Sequence, residues 1–296
     1  MSLVYVLGNA GMDLSLGMAR LPAPGETLVA HDVARAPGGK GLNQAVTAGR
    51  AGAQVIFAAP IGRDSDAAQL KAVLAQEPLT FEAIALDQPT DLSVIMVTPE
   101  GENCIATAGL AADGLDVAAA EQFARRAGPD DWLLLQGNLS LAATKAAMRA
   151  TPGRVIFNTA PLRWPVAELL PFCDVVIANS VETAEITGCE GTAAATRMQT
   201  MGARCVIITL GSAGAVLATA DGLCTLPAPK VVALDTTGAG DTLCGVLAAA
   251  LARGNSLLEA LQFGQSAAAE TVTRAGAYAA LPSAEDLKRL GSALRK

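Results

Sequence analysis

The sequence predicts an α/β fold in three layers, with a central, mainly parallel sheet that helices cover on both faces. Short apolar runs alternate with alanine-rich stretches of helical character along most of the 296 residues. The runs are almost continuously apolar, as expected of strands buried on both faces, and the alternation favours parallel pairing with right-handed crossovers. Two segments depart from this alternation and predict a small, separate β-sheet.

The alternating part of the chain predicts most of the strands and helices. Strands are expected at residues 4–7, 55–59, 132–136, 155–158, 175–178 and 205–209. Helices are expected at residues 41–51, 65–76, 117–126, 141–150, 181–187 and 192–201. A hairpin of residues 215–218 and 223–226 is expected to end the sheet, and Ser283 is expected to begin a last helix. Because no linker or internal repeat divides the chain, residues 1–296 are expected to form one domain.

The small sheet is predicted from two irregular segments. Residues 27–36 alternate polar and apolar side chains without a helical period. Residues 93–98 and 103–108 flank a turn at residues 99–102, which is typical of an antiparallel hairpin. One face of this sheet is expected to be apolar. The side chains expected on that face include Val94, Met96 and Ile105.

Composition and charge exclude several classes of protein. The 21 lysine and arginine residues against 28 aspartate and glutamate residues give a net charge of −7, which argues against a nucleic-acid partner or an anionic membrane. The most apolar run, residues 244–252, is far shorter than the roughly 20 residues of a membrane span, and no signal peptide is recognised. The six cysteines form no CxxC pair and are expected to be free thiols of a cytoplasmic protein. The single histidine, His31, excludes mechanisms and metal sites that need two.

The strongest local motif is DTTGAGDT at residues 235–242, which follows an expected strand at 231–234 and opens a helix expected to reach about Arg253. The small residues at 238–240 allow backbone amides to converge on an anion at the helix N-terminus. Asp241 would repel a phosphate there, unless it takes a proton from the group that attacks that phosphate. The alternative is a glycine turn whose acidic residue favours the helix dipole.

A second glycine-rich motif, PGGKGLNQA at residues 37–45, also opens an expected helix. It is not a Walker A loop. That pattern would require glycine at position 34 and serine or threonine at position 41, where this chain has Ala34 and Gly41. Its glycines let the backbone approach a ligand, and Lys40 and Asn43 offer donors suited to hydroxyl groups. The alternative is a glycine turn that binds nothing.

Taken in this order, the two motifs resemble the paired signatures of the ribokinase, or PfkB-type, carbohydrate kinases. The resemblance covers nearly the whole chain. Between and before the signatures it includes Gly8, Asp13, residues 24–27, 101–103 and 158–161, Asn179, Glu182 and residues 209–211. It implies a ribokinase-like α/β/α fold in which residues 12–36 and 91–108 form a β-sheet lid. In ribokinases such a lid often pairs across a homodimer.

The resemblance also implies roles for individual residues. Asp241 matches the catalytic base, and the anion hole is matched by Gly238, Ala239 and Gly240. The positions that hold sugar hydroxyls are matched by Asp13, Gly39, Lys40 and Asn43. The nucleotide-binding region is matched by Asn179, Thr209, Gly211 and Gly214, while Glu182 matches a position that acts on magnesium indirectly. The monovalent-cation site is matched by Asp235, Thr237, Arg274 and Gly276.

Two positions depart from the pattern of ribose-specific members. These carry Asn-Ala-Asp where this chain has Gly11-Met12-Asp13, so one sugar contact is expected to be absent or supplied by Asn9. Their glutamate after the strand at 132–136 is replaced by Asn138, whose neutral amide can donate as well as accept in the sugar site. We therefore expect that ribose is not the preferred sugar.

The sequence thus predicts ATP-dependent phosphorylation of a primary hydroxyl of a pentose or related sugar, with Mg²⁺ and K⁺. A nucleoside kinase of the same family is one alternative. A non-catalytic sugar-binding homologue is another, although it would be expected to lose Asp241 or the anion-hole glycines, which are present. An NAD-dependent dehydrogenase would need GxGxxG after the first strand, and residues 8–11 lack that spacing.

Overall fold

Strands and helices alternate along most of the chain in the computed structural model, which describes residues 2–99 and 102–294. The strands are β1 (Val4–Leu7), β2 (Gly11–Gly17), β3 (Asp32–Gly38), β4 (Val55–Ile61), β5 (Thr80–Ala85), β6 (Asp91–Val97), β7 (Asn103–Ala108), β8 (Trp132–Gln136), β9 (Arg154–Asn158), β10 (Val175–Asn179), β11 (Cys205–Thr209), β12 (Ala215–Thr219) and β13 (Gly222–Leu226). The helices are α1 (Lys40–Arg50), α2 (Ser65–Leu74), α3 (Leu110–Asp113), α4 (Val117–Ala124), α5 (Leu141–Ala150), α6 (Ser180–Thr187), α7 (Gly191–Thr200), α8 (Ala239–Ala252), α9 (Leu257–Thr271) and α10 (Ala284–Ala293).

The large sheet has nine strands in the order β13-β12-β11-β10-β9-β8-β1-β4-β5. The strands from β11 to β5 pair in parallel, and the predicted hairpin of β12 and β13 continues the sheet antiparallel at one edge. In a parallel sheet the carboxyl ends of the strands lie along one edge, where ligands bind. The polar residues that end β8, β9, β10 and β11 therefore lie along the same edge.

Two apolar cores lie on opposite faces of the large sheet. Val4 and Val6 of β1 belong to a core shared with α1, α2, α8, α9 and α10. Tyr5 and Leu7, which point the other way, belong to a core shared with α4, α5 and α7. Successive side chains of a strand alternate between faces, so an apolar run such as β1 serves both cores. The predicted three-layer α/β/α architecture is confirmed.

The predicted small sheet is present and has four strands in the order β3-β2-β6-β7. We call this sheet the lid. Strands β2 and β6 pair in parallel, and β3 and β7 flank them antiparallel. The strand predicted within residues 27–36 begins only at Asp32 and extends to Gly38, and β2 had not been predicted as a separate strand. The predicted turn at residues 99–102 includes two residues, 100 and 101, that lie outside the described part of the chain.

The prediction that Val94, Met96 and Ile105 share one face of the lid is wrong. Ile105 pairs with Ile95, whereas Met96 pairs with Cys104. Directly paired residues lie on the same face and successive residues alternate, so Ile105 lies opposite Val94 and Met96. By the same register Ile105 shares its face with Asp13.

Four elements of the main body differ from those predicted from the sequence. Residues 231–234 form no strand, and Val232 is 90% exposed. This β-branched run has no neighbouring strand; the Leu234 amide donates instead to the Val272 carbonyl. Strand β5 and helices α3 and α9 were not predicted, although a capping box of Ser256 and Glu259 opens α9. Among the described residues, no helix is long and apolar enough to cross a membrane.

Candidate active site

Close packing of α1 against α8 joins the two glycine-rich motifs. A Cβ atom on Gly245 would lie 2.1 Å from Thr47 Oγ1 and 2.3 Å from the Gln44 carbonyl oxygen, so only glycine fits between the two helices. This contact places the first turns of α1 and α8 side by side. Residues far apart in the sequence therefore meet in one site, as the resemblance implied.

Asp241 lies in the first turn of α8 and is 6% exposed. Asn43 Nδ2 donates to its Oδ2 over 3.1 Å, and Gln44 Nε2 donates to its Oδ1 over 3.0 Å. The Nζ atom of Lys40 lies 3.9 Å from Oδ1. Amide donors and a nearby cation stabilise the charged form of a carboxylate, so these contacts suit an ionised Asp241.

Lys40 and Asp13 approach Asp241 from two different elements. The charge of Asp241 is the main cause that raises the pKa of Lys40, which keeps this amine protonated. Burial raises the pKa of Asp13 above its ordinary value; a hydrogen bond from Ser93 opposes this and the charge of Asp241 adds to it. A Cβ atom on Gly38 would lie 2.2 Å from Asp13 Oδ2, so this glycine lets the lid carboxylate reach the start of α1.

The start of α8 leaves backbone donors facing open space. Gly238 has a positive φ of 81° and caps the helix, while the Ala239 amide makes a long 3.3 Å hydrogen bond to the Thr236 carbonyl. Within the described residues, the amides of Gly240 and Asp241 have no main-chain acceptor. A Cβ atom on Gly240 would meet no atom within 4 Å. The helix N-terminus can therefore receive an anion beside Asp241.

The predicted nucleotide-binding residues lie at the ends of two neighbouring strands. Asn179 ends β10 and pairs in register with Thr209, which ends β11. Gly211 has a φ of 59° and open space where a Cβ would lie. Gly214 has a packing role, because a Cβ there would lie 1.9 Å from the Leu226 carbonyl oxygen.

Glu182 is held by protein donors on both carboxylate oxygens. Oε1 accepts from Asn179 Nδ2 over 2.8 Å, and Oε2 accepts from Thr159 Oγ1 over 2.7 Å and from the Asn179 amide over 3.1 Å. With Asn179 it forms the capping box of α6. Both carboxylate oxygens of Glu182 therefore have protein donors, which fix the side chain at the end of β10.

Asp235 joins the loop before α8 to the loop after α9. Its Oδ1 accepts from the amide and Oγ1 of Thr237, and its Oδ2 accepts from the Gly276 amide over 2.8 Å. Burial opposes these hydrogen bonds, yet together they hold the pKa of Asp235 below its ordinary value. The guanidinium of Arg274 pairs with Glu270 and Asp286, so only its backbone could serve a cation. No group of three potential side-chain metal ligands occurs in the described part of the chain.

Asn138 is the predicted site residue that the structure does not connect to the others. Its carbonyl accepts from Arg163 over 2.6 Å, and Arg163 also pairs with Asp113 of α3. Its Oδ1 is buried without a hydrogen-bond partner. No hydrogen bond among the described residues joins Asn138 to Asp13, Lys40 or Asp241.

Three polar residues near Asp241 were given no role from the sequence. Gln44 contacts Asp241 directly, Gln136 Nε2 donates to Gln44 Oε1 over 2.9 Å, and Asn158 Oδ1 lies 3.5 Å from Gln44 Nε2. A signal was present, since Gln136 and Asn158 are polar residues that end β8 and β9 directly after apolar runs. In parallel sheets this position faces the ligand-binding edge.

Comparison with known proteins agrees with this arrangement. The family model described as pfkB family carbohydrate kinase matches residues 1–284. The chain belongs to the pfkB family of carbohydrate kinases. A ribokinase from Haemophilus influenzae is 33% identical over 292 residues, which cover 95% of each chain.

Solved structures of pfkB-family relatives share the whole fold. A ribokinase from Thermotoga maritima has a TM-score of 0.90 at 29% identity and covers 98% of this chain and 99% of its own. A ribokinase from Arabidopsis thaliana, solved with ribose and ATP, has a TM-score of 0.85 at 26% identity, with the same coverage of both chains. As a member of the pfkB family, the protein is an ATP-dependent carbohydrate kinase. The ribokinase-like fold is likewise confirmed.

Proposed function

We propose that this pfkB-family kinase transfers the γ-phosphate of ATP to a primary hydroxyl of a pentose or related sugar, with Asp241 as the general base. The observation that carries the proposal is the position of a buried carboxylate beside a helix N-terminus with free amides. The carboxylate can accept a proton beside the place where the helix N-terminus can bind an anion. Phosphoryl transfer to a hydroxyl needs both at the same place.

Asp241 accepts the hydroxyl proton as the sugar oxygen attacks the γ-phosphorus, and the bond to the leaving phosphate of ADP breaks. The proton moves from the sugar oxygen to a carboxylate oxygen of Asp241. The amides of Gly238, Ala239 and Gly240, at the N-terminus of α8, stabilise the charge on the transferring oxygens. Gly240 leaves the space that these oxygens need, because nothing occupies the position of its missing Cβ.

The sugar is held by groups from the lid and from the start of α1. Asp13 offers acceptors, Lys40 offers a cation, and the amide of Gly39 offers a donor. Asn43 Nδ2 is committed to Asp241, which leaves Asn43 Oδ1 buried without a partner and free to accept from a sugar hydroxyl. Asn138 is proposed to contribute a further sugar contact through its unpartnered Oδ1.

ATP is proposed to lie along the carboxyl ends of β10 and β11, against Asn179, Thr209, Gly211 and Gly214. Mg²⁺, when bound, would neutralise charge on the phosphates, and Glu182 is proposed to act on it through water. Bound K⁺ adds positive potential near the N-terminus of α8. Backbone and side-chain oxygens around Asp235, Thr237, Arg274 and Gly276 would hold it.

The chain is further proposed to act as one domain and as a homodimer joined by the lid. The lid face opposite Asp13 carries apolar side chains on all four strands. These include Leu14, Leu16, Val33, Val94 and Met96. A small sheet left alone in water is marginally stable, so a second copy that covers this face would stabilise it.

A sugar panel tests the proposed function. ADP release is measured with ATP and Mg²⁺ over pentoses, hexoses and nucleosides, with and without K⁺. We expect the highest kcat/KM with a pentose or a related furanose. A nucleoside at the top of the panel would support the nucleoside kinase instead, and turnover of none would support a sugar-binding homologue.

A further inference from the structure

A buried chain of side-chain amides lies behind Asp241. Gln136, the last residue of β8, donates from Nε2 to Gln44 Oε1 over 2.9 Å. Gln44 donates in turn from Nε2 to Asp241 Oδ1 over 3.0 Å. Both glutamines are completely buried. Two fully buried amides in series are costly to leave unsatisfied, so their arrangement calls for a physical reason.

We propose that Gln44, oriented by Gln136, is a positioning residue that keeps Asp241 ionised and aimed at the acceptor hydroxyl. The inference rests on the proposed role of Asp241 as general base. It assigns to the amide chain a defined polarity, in which Gln136 donates to Gln44 and Gln44 donates to Asp241.

The polarity follows from the chemistry of the groups. An ionised carboxylate can only accept, so Gln44 must present its NH₂ group to Asp241. Gln44 Oε1 then faces Gln136, which must donate. The opposite orientation of Gln136 would bring two carbonyl oxygens together and is excluded by their repulsion.

The orientation of Gln136 leaves one of its polar atoms unsatisfied. Its own Oε1 is buried without a hydrogen-bond partner. A Cβ atom on Gly8 would lie 2.1 Å from this oxygen, so Gln136 is packed directly against the end of β1. The proposal explains this unsatisfied buried oxygen, because Asp241 fixes the orientation of Gln44 and Gln44 fixes that of Gln136.

The groups around Asp241 act on its negative charge in opposite directions. Burial and the neighbouring carboxylate of Asp13 disfavour a second negative charge, whereas Lys40 favours it. Cys244 also lies close on α8; burial raises the pKa of its thiol, and Asp241 adds to this, so it stays neutral. Glu182 acts electrostatically on Lys40 and Cys244. Gln44 and Asn43 are the neutral donors that offset burial.

The test compares the acidic limb of kcat/KM against pH in the wild type and two variants of Gln44. Gln44→Met keeps the length of the side chain and removes the donor. We expect its acidic limb to move up by about one pH unit, the effect of losing one hydrogen bond to a charged group. Gln44→Glu places a second carboxyl group against Asp241, and the pair is expected to share a proton and shift the limb further.

Gln265→Met is a matched control, because it removes a buried glutamine of α9 whose Nε2 has no partner. Its limb should coincide with that of the wild type. The inference would be overturned if both Gln44 variants had a lower kcat/KM at every pH but an acidic limb at the wild-type position. It would also be overturned if neither variant showed an acidic limb down to pH 5. Near-native turnover by Asp241→Asn would instead overturn the proposed base, whatever the Gln44 variants do. Gln44→Glu differs from glutamine by one atom, so it provides the test if Gln44→Met does not fold.

Discussion

The two ends of the Asn43 amide differ, because its NH₂ group donates to Asp241 whereas its Oδ1 has no partner among the described residues. The site therefore combines committed groups, such as the NH₂ group of Gln44, with groups left for a ligand. Asp13 belongs to the second kind, since its raised pKa reflects burial rather than a cationic partner. At the residue scale, the unpartnered Oδ1 of Asn43 supports the proposed position of the sugar.

The two departures from the ribose-specific pattern have different structural settings. A Cβ atom on Gly11 would lie 2.5 Å from the Asp91 carbonyl oxygen, so packing at the lid base favours glycine there. The side chain of Asn138 has instead a buried Oδ1 without a hydrogen-bond partner among the described residues. A change of sugar preference is therefore more readily reached through Asn138.

Asn138→Glu tests the effect of Asn138 on sugar preference. A carboxylate here restores the residue type of ribose-specific members, so kcat/KM for ribose relative to the best sugar should rise by roughly tenfold, the value of one charged hydrogen bond. Asn138→Gln, which matches glutamate in length without its charge, should not produce this rise. Ribose that already leads the wild-type panel by an order of magnitude would contradict our expectation.

At the scale of elements, the lid is attached to the body through residues 90 and 91. Thr90 donates to Asp64, the cap of α2, through its amide over 2.8 Å and its hydroxyl over 2.7 Å. Asp91 Oδ1 accepts from the amides of Ala111 and Ala112 over 2.9 and 3.2 Å, which ties β6 to α3. Because these contacts hold the base of the lid, they determine how Asp13 meets Asp241.

Asp91 predicts a pH dependence of stability. Burial raises its pKa to about 6 from the ordinary 3.8, against the two amide hydrogen bonds. The folded protein therefore holds this proton more tightly than the unfolded chain, and the contribution of Asp91 to the free energy of unfolding falls as the pH rises from about 4 to about 6. Above that window the loss is complete.

Asp91→Asn should remove this dependence while Oδ1 still accepts both amides. We expect its Tm to change less than that of the wild type between pH 4 and pH 6.5, and to equal or exceed it at pH 7.5. Thermal unfolding at these pH values gives the measurement, with Asp130→Asn, an exposed position, as control. If the Tm of Asp91→Asn changed across this window as much as the Tm of the wild type, the assignment would be contradicted.

The sequence was most informative where one physical signal dominated. Buried parallel strands such as β8 were predicted from apolar runs, and helices such as α1 were predicted from glycine-rich starts. The run at 231–234 misled because β-branched residues predict a strand only when a neighbouring strand exists to pair with. Gln44 was overlooked because its partner Asp241 is remote in sequence, and only the packing of Gly245 against α1 brings them together.

At the scale of the whole molecule, the lid carries exposed apolar side chains on both of its faces. Val33 is 65% exposed on the face that also carries Val94 and Met96. On the opposite face, Ile105 is 56% exposed beside Asp13 and Ser93, where a sugar would be covered. Substitutions on the two faces of the lid are therefore expected to have different effects.

Met96→Lys should weaken the proposed dimer, because it places a charge in the apolar face. Sedimentation of the wild type at micromolar concentration should give a dimer of the 29.9 kDa chain, and the variant should shift toward the monomer. Ile105→Lys, on the sugar-facing side, should leave the mass unchanged. A wild type that sediments as a single monomeric species would contradict the dimer.

The central claim is that Asp241 accepts the proton of the sugar hydroxyl, and Asp241→Asn tests it most directly. Asparagine keeps the size of the side chain, and Gln44 can still donate to its Oδ1. On the best sugar of the panel we predict that kcat falls by roughly 10²-fold or more, while the sugar Kd from calorimetry stays within about threefold of the wild type. Turnover within a few-fold of the wild type, with Asp130→Asn as the matched surface control, would contradict the account.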